Sequence, residues 1–421
     1  MNPVDRTELP LKPVPVQPLR DDDFGRRLVG WLIPAYVVMI FAGAITFRMH
    51  ASMMRGNEMS VDRAVLAAVN AGTLTGFQTA AVNPNDYQPL GQVNMLALTV
   101  GGSLLTFIIG GLAVVRILRL PYRDSRVISA ALIAVVAAGF IGATGLFGDG
   151  RSTFAGISQG VSALGNSGVF VGKPYGVLEW QTYLILLPLI VLGGLGLTVL
   201  MELFDGVAHH RPISPHSRTV LLWAAGIYLL FFLLLSVLRL LSTDWSRVDP
   251  GTFSTILGSS SVQAINSRTA GLPIEFAYTF PRTVQWVLIV GMAVGGSSGG
   301  TAGGIKMTTL AEVFRGVGRA LRGAPVGRPF GIAMTWIGAY AGLALLAVLA
   351  LLASEAQLPG DRALFLAVSA LSNVGMSHDM LSISVPGEYI LCAVMLVGRM
   401  TPLLILWWMA DTTAGAELAV G

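Results

Sequence analysis

The chain predicts an all-α polytopic membrane protein. It reads as four repeats around a pseudo-fourfold pore. Each repeat holds a spanning helix, a short re-entrant helix with a glycine-bearing turn, and a second spanning helix, which makes eight transmembrane helices and four pore helices. Three observations carry that prediction. Hydrophobic residues make up 53% and charged residues 12% of the 421, with a mean hydropathy of +0.69, against about 25% charged in a soluble domain. Eight apolar runs reach or approach the length a bilayer requires. One register of short helix, glycine turn and glycine-bearing span recurs four times, and internal repetition of this kind decides a fold.

Residues 1–27 form a polar tail with five prolines and the acidic run Asp21–Asp23. No apolar core follows the initiator, so a cleavable signal peptide is not expected and the tail is read as cytoplasmic. Repeat 1 (28–120) has apolar runs at 28–49 and 92–115, and repeat 2 (121–217) at 127–148 and 180–201. Repeat 3 (218–328) has them at 219–241 and 283–310, and repeat 4, ending in a short tail (329–421), at 330–353 and 387–410. Between the two runs of each repeat lie Ala64–Leu74, Thr153–Gly165, Phe253–Asn266 and Leu364–Ser372. These are too short to span and are predicted to be re-entrant.

The turns after them are Thr75-Gly76-Phe77, Ser167-Gly168-Val169, Ala270-Gly271-Leu272 and Val374-Gly375-Met376. Gly101, Gly193, Gly295 and Gly398 follow the turn glycines by 25, 25, 24 and 23 residues. Orientation follows the excess of Lys and Arg. The side of both termini holds 15 basic residues and the opposite side 8, so both termini are predicted to be cytoplasmic in a plasma (inner) membrane and the short helices to enter from outside.

Four re-entrant helices pointing their C-terminal ends at one axis favour a cation there. Turn carbonyls can replace the hydration shell of an alkali ion. The turns carry Thr73, Thr75, Asn166, Ser167, Thr269 and Asn373 but no Asp or Glu, which argues against an acidic ring for divalent cations. Gly43 and Gly110-Gly111 are assigned to close helix packing.

Gly295–Gly304 breaks the second span of repeat 3, with six glycines in ten residues, and bare backbone of this kind must be buried in protein or line a cavity. It is not a phosphate-binding loop: Ile305 precedes Lys306 and Met307 comes next, where that motif needs Gly and then Ser or Thr. Three charges lie at membrane depth, and each suggests function by default. Arg268 adjoins the third turn, Lys306 ends the glycine stretch, and Arg399 lies mid-span. Lys306 has the alternative of snorkelling to the cytoplasmic face, as Arg239 has at the outer end of its span. Arg399 is expected to donate to carbonyls of the 295–304 segment and form a gate below the turns. His209-His210 reads as a solvated loop, Cys392 allows no intrachain disulfide, and no nucleophile–base pair points to an enzyme.

At these residues the chain resembles the Trk/Ktr/HKT superfamily of potassium-translocating membrane subunits, closest to the KtrB and TrkH type. The resemblance covers about residues 28–410. It rests on Thr73–Phe77, Ser162–Gly168, Ser267–Leu272, Gly299–Lys306, Ser369–Gly375 and Gly398-Arg-Met-Thr-Pro402. It implies gated potassium uptake and no cofactor in this chain. Potassium would meet the backbone carbonyls of a selectivity filter at Thr75, Gly76, Ser167, Gly168, Ala270, Gly271, Val374 and Gly375. It implies a gating loop over 295–306, with Gly295, Gly296, Gly299, Gly300, Gly303, Gly304 and Lys306, and places the pore arginine at Arg399. It also implies a homodimer seated on cytosolic nucleotide-binding RCK subunits of the KtrA/TrkA kind, carried on a separate chain. Serine at the first filter glycine marks sodium-preferring plant members, so Gly76 favours potassium. The chain departs from the usual pattern at Gly165-Asn166-Ser167, at Val169 and at Asn373. A sodium-transporting or sodium-coupled transporter is the alternative, since broken helices occur at the midplane of those too.

Overall fold

The computed structural model describes residues 22–54, 56, 58–78, 87–147, 152–169, 171–244, 246, 249, 251–269 and 272–412. The stretch expected to be repeat 1 folds as α1 (Asp22–Phe47), α2 (Val61–Gly72) and α3 (Pro89–Ile117). That expected to be repeat 2 folds as α4 (Asp124–Gly145), α5 (Thr153–Leu164), a π-turn at Thr182–Leu186, α6 (Leu187–Leu195) and α7 (Leu197–His209). That expected to be repeat 3 folds as α8 (Pro215–Ser242), α9 (Thr252–Thr269), α10 (Arg282–Ala293) and α11 (Met307–Leu321). That expected to be repeat 4 folds as α12 (Arg328–Ser354), α13 (Gly360–Leu371) and α14 (Val385–Thr412). These stretches keep their repeat names. The helix starts are chemically ordinary: Pro89, Pro215 and Pro329 stand in first turns, and the Ser152 and Ser214 hydroxyls cap α5 and α8.

Among the described residues, six helices are long and apolar enough to cross a bilayer, or seven if the bent pair below is one span: those containing Phe24–Phe47, Pro89–Ile117, Asp124–Gly145, Pro215–Ser242, Arg328–Ser354 and Val385–Asp411. The eight runs of the sequence thus resolve differently in repeats 2 and 3. The run at 283–310 is interrupted, as its glycines require. The run at 180–201, expected to be continuous, is bent by 106° between Thr182–Leu195 and Leu197–His209. The hinge is Gly196 at φ 89°, ψ 152°, a conformation essentially reserved to glycine. The π-turn just before α6 closes with Leu187 N–H donating to Thr182 O, and Pro188 stands in the first turn of α6.

The short helices match their expected extents closely, and α9 runs about one turn further, to Thr269. Among the spans α3 is the most enclosed, with 83% of its apolar window buried, against 22% for α1 and 17% for α12. Helix α3 therefore lines the interior, while α1 and α12 turn Val38, Phe41, Leu345 and Leu346 outward as a lipid-facing belt. Arg26, at the start of the chain, pairs with Asp411 near its end, so both ends of the bundle meet on one side.

That side carries a clasp that no sequence motif announces. Asp205 of α7 is buried and accepts from Arg126 Nη2 at 2.5 Å and from the Tyr122 hydroxyl at 3.2 Å. Burial, with Asp205 alongside, pushes the Tyr122 phenol up to about 12, so it remains a donor at physiological pH. His209, read from sequence as part of a solvated loop, is instead the last residue of α7 and lies 3.6 Å from the same carboxylate, one helical turn on. Among the described residues no three His, Cys, Asp or Glu side chains group as metal ligands.

Candidate functional site

Three of the four short helices end in the same way. Leu74, Asn166 and Asn373 are left-handed, at φ 60°, 52° and 50°, each two residues before its turn glycine. The next residue, Thr75, Ser167 or Val374, donates its N–H five residues back, to Asn70, Ser162 or Ser369, at 2.9–3.0 Å. The left-handed residues donate three back, to Ala71, Ala163 and Ala370, at 3.1–3.2 Å. This is a Schellman-like termination, which satisfies the last carbonyls of a helix while reversing the chain. In repeat 1 the Asn70 side chain braces the turn itself. Its Oδ1 accepts from the N–H groups of Gly76 and Phe77 at 2.8 and 2.9 Å, and its Nδ2 donates to Phe77 O at 2.9 Å. Asn266 does the same for Leu272 in repeat 3, at 2.6 and 3.0 Å. The expected filter residues Ala270 and Gly271 lie outside the described residues.

The three described turns converge. A methyl on Gly76 (φ 99°) would lie 2.2 Å from Gly168 N, and one on Gly375 (φ 81°) 2.1 Å from Thr75 O. Turn 1 thus touches turns 2 and 4 backbone to backbone, and a Cβ would enter the neighbouring main chain. Asn373 Nδ2 donates to Thr75 Oγ1 at 3.1 Å, a second link between turns 4 and 1.

Beneath the turns the Val294–Lys306 segment forms a buried plug. Its own ends are zipped: Gly295 N–H donates to Ile305 O and Ile305 N–H to Ala293 O, both at 2.9 Å. Its tip is held by other repeats. Ser297 and Thr301 N–H groups donate to the carbonyls of Gly194 and Gly193 at 2.8 and 3.1 Å. The Thr301 hydroxyl donates to Leu164 O at 2.9 Å and accepts from Asn166 Nδ2 at 2.7 Å. A methyl on Gly303 would lie 2.0 Å from Ser372 O, and one on Gly110 2.6 Å from the Gly299 Cα. Gly110, assigned from sequence to helix packing, therefore makes room for the plug, while Gly111 does face neighbouring helices at Val127 and Leu197.

The three embedded cations all meet the plug. Arg399 is buried and donates from Nε to Thr73 O at 2.8 Å and from Nη1 to Thr301 O at 2.6 Å. Arg268, also buried, donates from Nη2 to Gly295 O at 3.2 Å. Lys306 Nζ donates to Ala302 O at 2.7 Å, so its ammonium caps the plug from within rather than snorkelling away. Arg239 does not snorkel either; it donates to the Ser259 hydroxyl and stacks on Phe280. A cavity of about 150 Å³ lies against the plug, bounded by Gly300, Gly303, Lys306, Tyr340, Gly398 and Arg399. The arrangement sets the backbone of the converging turns above a loop held by guanidinium groups.

No protein-family model matches the chain. Ktr system potassium uptake protein B of Vibrio alginolyticus is 26% identical over 242 residues, 53% of this chain and 50% of that protein. The protein of the same name from Bacillus subtilis (strain 168) is 27% identical over 291 residues, 63% of this chain and 62% of its own length. Potassium/sodium uptake protein NtpJ of Enterococcus hirae is 26% identical over 277 residues, 60% and 59% of the two chains. The chain thus spans half to somewhat under two thirds of the curated relatives it matches. The crystal structure of the potassium transporter TrkH from Vibrio parahaemolyticus superimposes with a TM-score of 0.71 at 20% identity, covering 94% of this chain and 86% of that one. That likeness is one of fold.

Proposed function

From the premise that this chain is a multi-pass membrane protein of the Trk/Ktr superfamily, KtrB/TrkH type, we propose that it takes up potassium across the plasma membrane. It does so as the pore-forming subunit of a gated system. One observation carries the reading: the backbone at Gly76 abuts that at Gly168 on one side and that at Gly375 on another, each just beyond the C-terminal end of a short helix. Helix C-termini and inward carbonyls make that junction attractive to a cation and replace its water. In this reading Thr75, Ser167, Ala270 and Val374 with the four turn glycines form the filter, and the 295–306 plug with Arg399 forms the gate. The four repeats expected from the sequence are kept with boundaries moved to the helix starts, since α1 begins at Asp22, α8 at Pro215 and α12 at Arg328, ahead of the expected 28, 218 and 329; the termini face the cytoplasm, as the basic excess on that side supports, and the Arg26–Asp411 pair supports their lying on one side. A homodimer on a ring of RCK-type subunits is what the resemblance implies.

A second reading, sodium transport or sodium coupling, has two observations in its favour: the name of the Enterococcus hirae relative and the departures at Asn166, Ser167 and Asn373. One experiment separates the two. Potassium and sodium fluxes are measured in proteoliposomes for the native chain and Gly76→Ser, whose Cβ would displace turn 2. Potassium-selective flux, degraded by the substitution, is expected. A reversal potential that tracks the sodium gradient, or flux indifferent to the substitution, overturns the potassium-filter reading.

A further inference from the structure

Gln78 is the second residue after the first turn glycine, and no feature of the sequence singles it out. Its side chain reaches back across the mouth of the converging turns. Nε2 lies 3.1 Å from Gly168 O and 3.3 Å from Gly76 O. The reverse orientation of the amide would set its oxygen against two carbonyl oxygens at those distances, so the NH2 group faces them. The backbone of Gln78 is fixed, because its carbonyl accepts from Leu381 N–H at 2.9 Å. The side chain beyond Cα keeps its three torsions. It borders a small recess it shares with Glu275, Gly375 and Ser377.

A carbonyl that accepts an N–H bond has committed that lone pair, and an alkali cation at the same place needs it. An amide donor and a cation therefore compete for the same two oxygens, one from repeat 1 and one from repeat 2. We propose that Gln78 is an outer latch on the candidate filter: its amide holds the Gly76 and Gly168 carbonyls, and an entering monovalent cation must displace it. The latch lowers the apparent affinity for the ion and sets the concentration at which uptake half-saturates. This rests on the filter reading of the turns given above.

The competing bonds are ordinary neutral ones, one of them long, so their loss shifts the half-saturating concentration by about three- to tenfold. Rubidium-tracer uptake in proteoliposomes is measured against external potassium for the native chain, Gln78→Met and Gln78→Glu, with thermal unfolding as a check on folding. Met keeps the volume and has no donor. Glu, ionised, is repelled by the carbonyls and attracts the cation. Both variants are expected to half-saturate at lower potassium, and Glu alone to acquire block by barium. A half-saturating concentration that is unchanged or raised in a folded Gln78→Met chain overturns the latch while leaving potassium transport intact. If Gln78→Met does not fold, the same criterion is applied to Gln78→Glu. Absence of flux through the native chain overturns the transport reading itself, and the latch with it.

Discussion

Replacing Arg399 by Ala removes a side chain that ties the plug to the wall of repeat 1. The guanidinium makes two charge-assisted bonds, to Thr301 O in the plug at 2.6 Å and to Thr73 O under the first turn at 2.8 Å. Bonds of this kind contribute about 1.5–3 kcal/mol each. Only the first holds the plug, so its loss shifts the seated-to-released ratio by about 10- to 150-fold. Global stability responds differently. The two bonds together contribute about 3–6 kcal/mol, while an embedded cation costs about 2.5–3.5 kcal/mol, and Arg399 Nη2 is buried without a partner. The two sides nearly offset each other. Arg399→Ala should therefore leave thermal unfolding within a few degrees of native while basal rubidium uptake rises at least several-fold. Hydrogen exchange in 295–306 should accelerate in parallel. Arg399→Lys, a point charge without the planar fork, should fall between the two. A folded Arg399→Ala chain with native flux and native exchange over 295–306 would show that the guanidinium does not hold the plug.

Two further perturbations test the layers on either side. Asn70→Ala strands the Gly76 and Phe77 N–H groups and the Phe77 carbonyl, and should cost about 2–4 kcal/mol of stability together with potassium-over-sodium selectivity. Asn70→Asp keeps both acceptor bonds and should do less harm; native selectivity and unfolding in the Ala variant would refute the brace. Gly110→Ala drives a methyl towards the Gly299 backbone and should raise basal uptake, whereas Gly338→Ala, exposed on α12 with open space around it, should leave flux alone and stabilise by up to about 1 kcal/mol. Equal flux effects at the two glycines would separate plug position from uptake.

What the sequence disclosed was local. The short helices and their turns were legible because a glycine turn after an under-length apolar segment is encoded within about fifteen residues, and repetition multiplied the signal. The link from Arg399 to the glycine stretch was legible because a charge and a broken helix at one depth need each other. Contacts between distant segments were not legible. Nothing in the sequence marks Gly196 as a hinge; its bend makes sense only beside the plug, where Gly299 O accepts from Leu197 N–H. Asp205 finds Arg126 across 79 residues, with no pattern in either helix to announce the partner. Leu74 gives no hint of its left-handed backbone, a conformation read more readily at Asn166 and Asn373. Gln78 reaches a turn 90 residues away.

The bend at Gly196 and the interruption at 295–306 separate α6 from α7 and α10 from α11, whereas α3 and α14 are each one continuous helix. The three described short helices that end in a left-handed residue are alike, while the segments that follow them differ from one to the next. A rigid ring that discriminates ions benefits from equal sides. A barrier that must move benefits from having a weak quarter. In the reading proposed above, the barrier would be displaced through α7 and α11 while the turns keep their shape, so substitutions in the two layers should tune selectivity and opening one at a time.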